Sequence, residues 1–279
     1  MPLSLSRILL GFWLLVFAAG CSQYQRLMKS TDVDERYNGA MQYFKKKDYY
    51  HCGMLLEETL PLLKGSARAD TAQLYYAYCQ FYEKQYNLAA FYFKTFYETF
   101  PRSTFAEEAA YMEGLSYYED SPRYDLDQES TKEAIRVVQT FLTNYPETER
   151  KEDCNFIVES LRSKLERKAY GQAFLYYKKE NFQAAVIAFE NFRKEFPESA
   201  RNEEAQALRV EAAYRLAASS VASKQKDRYA QVVEAYQNFV DRYPSSKRAQ
   251  RLEDYYSAAQ TWLAGGQVQK PAADAARPN

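Results

Sequence analysis

The chain has 279 residues with only 9 Gly and 9 Pro, so collagen-like, linker-like and turn-dense all-β architectures start far behind helical ones. Lys and Arg number 37 against 37 Asp and Glu, which leaves no global field to gather nucleic acid or coat an anionic membrane. The one histidine, His51, excludes a multi-histidine metal site and Ser–His chemistry elsewhere in the chain, whereas 26 Tyr and 17 Phe mark heavy use of aromatic side chains.

The first element is a leader over residues 1–20. Arg7 and the amino terminus form a positive n-region, and Ile8 to Phe17 form an apolar run too short to span a bilayer but long enough for a signal h-region. Ala18-Ala19-Gly20-Cys21 follows, three small residues ending on a cysteine. It is similar to the bacterial lipobox, which implies cleavage after Gly20 and lipidation of Cys21. Ala18 departs from the usual Leu, and an ordinary signal peptide with Cys21 just after the cut is the alternative. Residues 21–33 read as a short, polar, unpatterned tether. Ser22 through Met28 carry no Asp or Glu, and by the same resemblance the anchor sits in the outer membrane and faces the periplasm.

From residue 34 to 263 the chain is an internal repeat. A small or β-branched residue is followed after seven positions by Phe, and four later by Phe or Tyr before Pro. The copies are Ala89–Phe96–Pro101, Ala134–Phe141–Pro146, Ala185–Phe192–Pro197 and Val232–Phe239–Pro244, with Phe93, Val138, Phe189 and Tyr236 between. These offsets lie on one face of an α-helix. Pro ends that helix, and Ser103, Thr148, Ser199 and Ser246 are read as N-caps of the next. A degenerate first copy starts at Gly53. First helices carry Met41 and Phe44, Gly114 and Tyr117, Ala173 and Tyr176, and Ala213 and Leu216, given insertions near Asp120–Gln128 and Ser219–Asp227. Aromatics at Tyr50, Tyr86, Phe182 and Tyr229 close the turns within pairs.

This is the tetratricopeptide pattern. The predicted fold is an all-α solenoid of about five helix-turn-helix repeats, stabilised by neighbour stacking. Ser246 to Leu263 form a C-terminal capping helix, and residues 264–279 a disordered tail.

No phosphate-binding loop, dinucleotide fingerprint, zinc-protease helix or nucleophile elbow occurs. No catalytic residue, metal ligand or cofactor is therefore assigned. Glu107-Glu108 and Glu203-Glu204 fall in first turns, where they complement the helix dipole on solvated faces. The basic runs at Lys45–Lys47 and Arg162–Lys168 read as solvated faces, and adjacent His51 and Cys52 point too far apart to ligate together. Apart from Cys21, the cysteines are Cys52, Cys79 and Cys154, with no C-x-x-C spacing. They read as buried thiols, with a Cys52–Cys79 disulfide as the alternative. Tyrosines at repeat offsets are core. Tyr75, Tyr76, Tyr78, Tyr117 and Tyr118 place neighbours on different faces and are the candidate groove for extended, aromatic-ended peptides.

A lipobox, a short tether and five helical repeats together resemble the BamD family, lipoproteins of the β-barrel assembly machine. The resemblance covers about residues 21–263. It rests most on Tyr111-Met112-Glu113-Gly114-Leu115, on Asp127-Gln128 before a second helix, and on Tyr176-Tyr177 ahead of Phe182-Gln183-Ala184-Ala185. It implies a non-enzymatic scaffold that binds no nucleic acid. Residues 34–146 would receive unfolded outer-membrane proteins, and residues 147–263 would dock a POTRA domain of the central barrel subunit, with accessory lipoproteins as further partners. The rivals are a tetratricopeptide lipoprotein scaffolding peptidoglycan or cell-division enzymes, and an all-α enzyme with a closed carboxylate site.

Overall fold

The computed structural model describes residues 23–266. Ala18, Ala19 and Gly20 of the predicted leader, Cys21 of the predicted tether, and residues 267–279 of the predicted tail lie outside the described residues. The chain is all-α, of the tetratricopeptide class, and no strand occurs among the described residues. Its two compact units meet in sequence at Leu161 and Arg162.

In the first unit α1 (Val33–Lys45) pairs with α2 (Tyr49–Thr59), α3 (Ala69–Tyr82) with α4 (Tyr86–Thr99), and α5 (Ala106–Asp120) with α6 (Glu129–Asn144). The first part of α7 (Lys151–Lys178) closes it by burying Cys154, Ile157 and Leu161 in the core of α3 to α6. That is why the unit extends beyond Pro146, where the sequence reading divides the halves. In the second unit the later part of α7 pairs with α8 (Phe182–Glu195), α9 (Asn202–Ala218) pairs with α10 (Ala222–Arg242), and α11 (Ala249–Leu263) packs on α10. The predicted capping helix is α11, with Leu252, Tyr255 and Ala259 buried.

The repeat face is the core in both units. Ala89, Phe93, Phe96, Ala134, Ala185 and Phe189 are completely buried, as is Val232; Phe141, Phe192 and Phe239 are nearly so, and Tyr236 is half-buried against Tyr256. Gly114 is required by close approach, because a Cβ there would stand 2.6 Å from Val138 Cγ2 on α6. Each aromatic before Pro ends its helix with one last bond: the amides of Phe100, Tyr145, Phe196 and Tyr243 donate to the carbonyls of Phe96, Phe141, Phe192 and Phe239. The following proline then excludes further αR backbone, and Pro101, Pro146, Pro197 and Pro244 sit exposed at the turns.

Three expectations are corrected: the register of the first repeat, the tether and the N-caps. The first repeat is one residue out of register: Lys47, Lys84 and Glu180 hold the same left-handed turn position, at φ of 61°, 61° and 58°. The amides that follow, of Asp48, Gln85 and Asn181, bond back to the carbonyls of Tyr43, Gln80 and Tyr176. Counting from these turns, the equivalents of Ala89 and Ala185 are Cys52, not Gly53, and the first-helix equivalents are Ala40, Ala77 and Ala173, all completely buried. Met41 therefore gives way to Ala40. Tyr49, not Tyr50, closes that turn, and Tyr50 is 60% exposed.

The described part of the predicted tether, residues 23–33, is not unpatterned. Residues 23–29 are helical, because Tyr24, Leu27 and Met28 share one face, and Leu27 is buried against Gly39. Ser103, Thr148, Ser199 and Ser246 are not N-caps either, since α5, α9 and α11 begin three residues after Ser103, Ser199 and Ser246 with no side-chain cap bond. Each hydroxyl instead accepts from the amide two residues on and donates to an acid of the preceding first helix. The pairs are Ser103 to Asp70 (3.2 Å), Thr148 to Glu107, Ser199 to Glu166 and Ser246 to Glu203 (each 2.7 Å). Glu107 and Glu203 are thus tied into the fold, and Glu108 accepts from the Tyr78 hydroxyl.

The insertions take different forms. Between α5 and α6 the inserted residues form a loop held by Gln128, whose amide donates to the carbonyls of Arg123, Leu126 and Asp127 and whose oxygen accepts from Thr131. Near Ser219–Asp227 they lengthen α10 instead. Cys52, Cys79 and Cys154 are buried free thiols.

Candidate functional site

In the first unit, α3 presents a partly exposed aromatic run. Tyr75, Tyr78 and Tyr82 fall three and four residues apart, on one side of the helix. Tyr75 meets Phe44 edge-on at 4.6 Å, and Tyr82 stacks on Tyr49 at 4.4 Å and on Tyr78 at 6.0 Å. Tyr82 remains 45% exposed and Tyr75 half-buried, so ring faces and edges border solvent beside the α1–α2 turn. Tyr78 is more fixed than its neighbours: its hydroxyl donates to Glu108, its ring meets Phe93 at 5.1 Å, and burial with that bond pushes its pKa up.

The five sequence-predicted groove tyrosines do not form one surface. Tyr76 is buried, edge-on to Tyr92 at 4.7 Å, and belongs to the core. Tyr117 is half-buried near Glu113, Glu133 and Arg136, which burial and those acids answer with a raised pKa. Glu113 and Glu108, the acids beside Tyr117 and Tyr78, are five residues apart on α5, about 140° around the helix. Tyr117 therefore faces away from the α3 run, and Tyr118 lies half-buried against the same core. Of the named set, Tyr75 and Tyr78 with Tyr82 make the surface.

Beside Glu113 lies a cleft of about 250 Å³ between α4 and α6, lined by Lys94, Tyr97, Glu113, Arg136, Asn144 and Tyr145 among others. Glu113 is 4% exposed and accepts from the Tyr97 hydroxyl at 2.7 Å. Burial lifts its carboxyl above the ordinary value, against the pull of Tyr97, Lys94 and Arg136. Arg136 is itself held by both oxygens of Glu133, which lowers the Glu133 pKa.

In the second unit Tyr176 is half-buried and Tyr177 is the core residue. The Tyr177 hydroxyl donates to Glu211 at 2.5 Å, and Arg251 and Arg215 reach the same buried carboxylate at 2.6 and 3.2 Å. This arrangement joins α7, α9 and α11. A carboxylate with two guanidinium partners and a phenol is satisfied, and its geometry is structural. A second knot centres on Glu190, bound by Arg193 at 2.6 Å and near Arg209 at 3.6 Å. Between α7 and α8 runs an open groove floored by Ala169, Ala184, Ala188 and Phe192, with Ile187 exposed on its rim. The acids Glu113 and Glu211 carry no signal in the sequence, since each is one of several acids on its helix and nothing local marks it as the buried one. Their burial is set by residues 16 to 40 positions away.

Among the described residues no three His, Cys, Asp or Glu side chains converge as a metal site, and no helix is long and apolar enough to cross a membrane.

Comparison with known proteins gives similarities of two kinds. The family model YfiO, described as "Outer membrane lipoprotein", matches residues 29–229. Among solved structures, the TPR2AB-domain:pHSP90-complex of yeast Sti1 is 15% identical at a TM-score of 0.38, over 82% of this chain and 98% of that one. No curated protein matches the chain. The family match runs from the end of the docked N-terminal helix into α10, about 72% of the chain, and takes in the core of α3 to α7 and part of the second unit: the chain belongs to the YfiO family of outer membrane lipoproteins.

Proposed function

We propose that this protein is a BamD-type scaffold of outer-membrane β-barrel assembly, anchored through lipid on Cys21 at the periplasmic face of the outer membrane. The first unit receives the extended, aromatic-ended segments of unfolded barrel proteins, and the second docks a POTRA domain of the central barrel subunit. Accessory lipoproteins join the same assembly. The work is binding, with no bond made or broken in the partner.

The observation that carries this reading is the partly exposed run Tyr75–Tyr78–Tyr82, in a chain of this family. Tyr offers rigid, amphipathic contact area at little entropic cost, and the 6.0 Å between the Tyr78 and Tyr82 rings is close to the roughly 6.6 Å between alternate, same-face side chains of an extended peptide. Aromatic pairing across such a surface contributes about 0.5–1.5 kcal/mol per pair beyond area burial. Micromolar capture of an unfolded segment needs several such contacts and no deep pocket.

The test is a mild-detergent pull-down of the tagged full-length protein from envelope membranes. Recovery of a large outer-membrane barrel bearing periplasmic POTRA repeats is expected, and Cys21→Ser should move the protein out of the membrane fraction. Recovery of cell-wall hydrolases or synthases without that barrel overturns the assembly reading, and a Cys21→Ser protein that stays membrane-bound overturns the anchor.

A further inference from the structure

The N-terminal helix of residues 23–29 lies antiparallel to α1, and its contacts give a direction. Leu27 packs where Gly39 leaves room, 2.6 Å from the position a Cβ would take. One turn earlier, the Tyr24 ring lies 6.2 Å from Tyr43 and 4.4 Å from His51. As the chain is followed back toward its N-terminus, its partners climb along α1 toward the α1–α2 turn. Only Ser22 separates Gln23 from Cys21. At about 3.8 Å between successive Cα atoms, Cys21 is covalently confined to within about 8 Å of the start of this helix. A lipid on Cys21 therefore enters the bilayer beside the α1–α2 turn.

That turn has the composition of an interfacial surface. Lys45, Lys46 and Lys47 are all exposed, and Tyr50 is 60% exposed. Lys46 Nζ stands 5.8 Å from the centre of the Tyr43 ring, and Lys47 holds the left-handed position that turns the chain. Of the acids nearby, Asp48 is hydrogen-bonded to His51 at 2.8 Å, and Glu57 and Glu58 are exposed more than two turns farther along α2, so the three lysines stand together at the turn itself. Tyr favours the headgroup layer, where its ring is apolar and its hydroxyl wet, and Lys reaches phosphates from a flexible apolar stem. A covalent lipid raises the local concentration of such a weak surface at the bilayer.

We infer that the α1–α2 turn is a membrane-contact surface, on which Lys45, Lys46 and Lys47 meet anionic lipid headgroups and Tyr50 enters the headgroup layer. The inference rests on the lipid anchor at Cys21. It makes the first unit a body seated on the bilayer rather than one swinging on a tether.

The experiment uses the full-length lipidated protein carrying Tyr50→Trp. It is reconstituted into vesicles of phosphatidylethanolamine and phosphatidylglycerol, with or without bromine on the acyl chains, and anchoring is checked by flotation. Bromine should quench the added emission by about half, as for an interfacial ring. Lys45→Glu with Lys46→Glu and Lys47→Glu should restore most of it in a chain that still floats. A Phe156→Trp protein, altered at an exposed position on α7 of the same unit, should show no quenching. Unquenched Tyr50→Trp in a floating protein overturns the contact surface and leaves the anchor standing. A wild-type chain that fails to float overturns the anchor and this inference with it.

Discussion

Leu27→Ala tests whether the N-terminal segment is built into the first unit. Leu27 is 3% exposed and fills the notch over Gly39, so the substitution removes three buried carbons, about 2.4 kcal/mol of transfer free energy at about 0.8 kcal/mol per carbon. A residual cavity raises the total toward the 2–5 kcal/mol typical of buried Leu→Ala changes. A helix of seven residues cannot hold itself in water, and what else retains it is modest. Tyr24 packs on His51, Arg36 donates to the Ser30 carbonyl at 2.6 Å, and Ser30 bonds Glu35 at 2.6 Å. Terminal elements open locally at well below the global free energy of unfolding. The lost contact should therefore appear as undocking of residues 23–29, while α3 to α6 stay folded. Amide hydrogen exchange read by mass spectrometry on a peptide over these residues should accelerate by roughly 50-fold, the Boltzmann factor of about 2.4 kcal/mol. Peptides from α4 and α5 serve as the internal reference. Acceleration of less than about threefold would show that Leu27 does not hold the helix, and the reasoning from the Gly39 notch would fail.

Gly114→Ala should destabilise the first unit by about 1–3 kcal/mol from overpacking, less the helix-propensity gain of up to about 1 kcal/mol. Val138→Ala should rescue it in urea unfolding, and strict additivity of the two changes would refute the contact. Glu113 is held above its ordinary 4.5, so the folded state binds that proton more tightly than the unfolded one, and its contribution falls as pH rises from about 4.5 through the raised value. Glu113→Gln should match the wild type near pH 4 and gain on it by pH 7, and parallel stability curves would contradict this. Phe189→Ala should cost the second unit about 3–5 kcal/mol, read by fluorescence of Trp262, which stacks on Tyr229 at 4.7 Å. A loss below about 1 kcal/mol would place Phe189 outside the core.

The repeat was legible where proline writes its boundary. Four copies of aromatic-Pro end four helices by the same amide bond because the backbone before Pro is sterically confined, and that constraint is local to the sequence. The first copy has no such Pro. There Gly53 was the obvious small residue, yet the true crossing position is Cys52, fixed by a left-handed turn at Lys47. Nothing in a lysine announces positive φ, so the register had no local signal. The tether was misread for a different reason. Its charges and polar residues outnumber Tyr24, Leu27 and Met28, and only the notch at Gly39 gives those three somewhere to go.

Binding surfaces were less legible than the core because exposure of a tyrosine is decided across helices. Tyr75, Tyr76 and Tyr78 are near neighbours on α3, but Tyr92 claims the second while Tyr82 borders solvent alongside the others. The repeat itself leaves room for such variation. Its hydroxyl–acid staples join residues 33 and 33 apart in the compact copies, and 41 and 43 apart where residues are inserted. In both long copies the bond is still 2.7 Å. The inserted residues are therefore absorbed by the Gln128 loop and by the longer α10, without displacing the helix edges that the staples hold. A segment can thus lengthen while its scaffold stays in register. The invariant geometry belongs to the Pro turns, and the variation in length belongs to the loop and the helix between them.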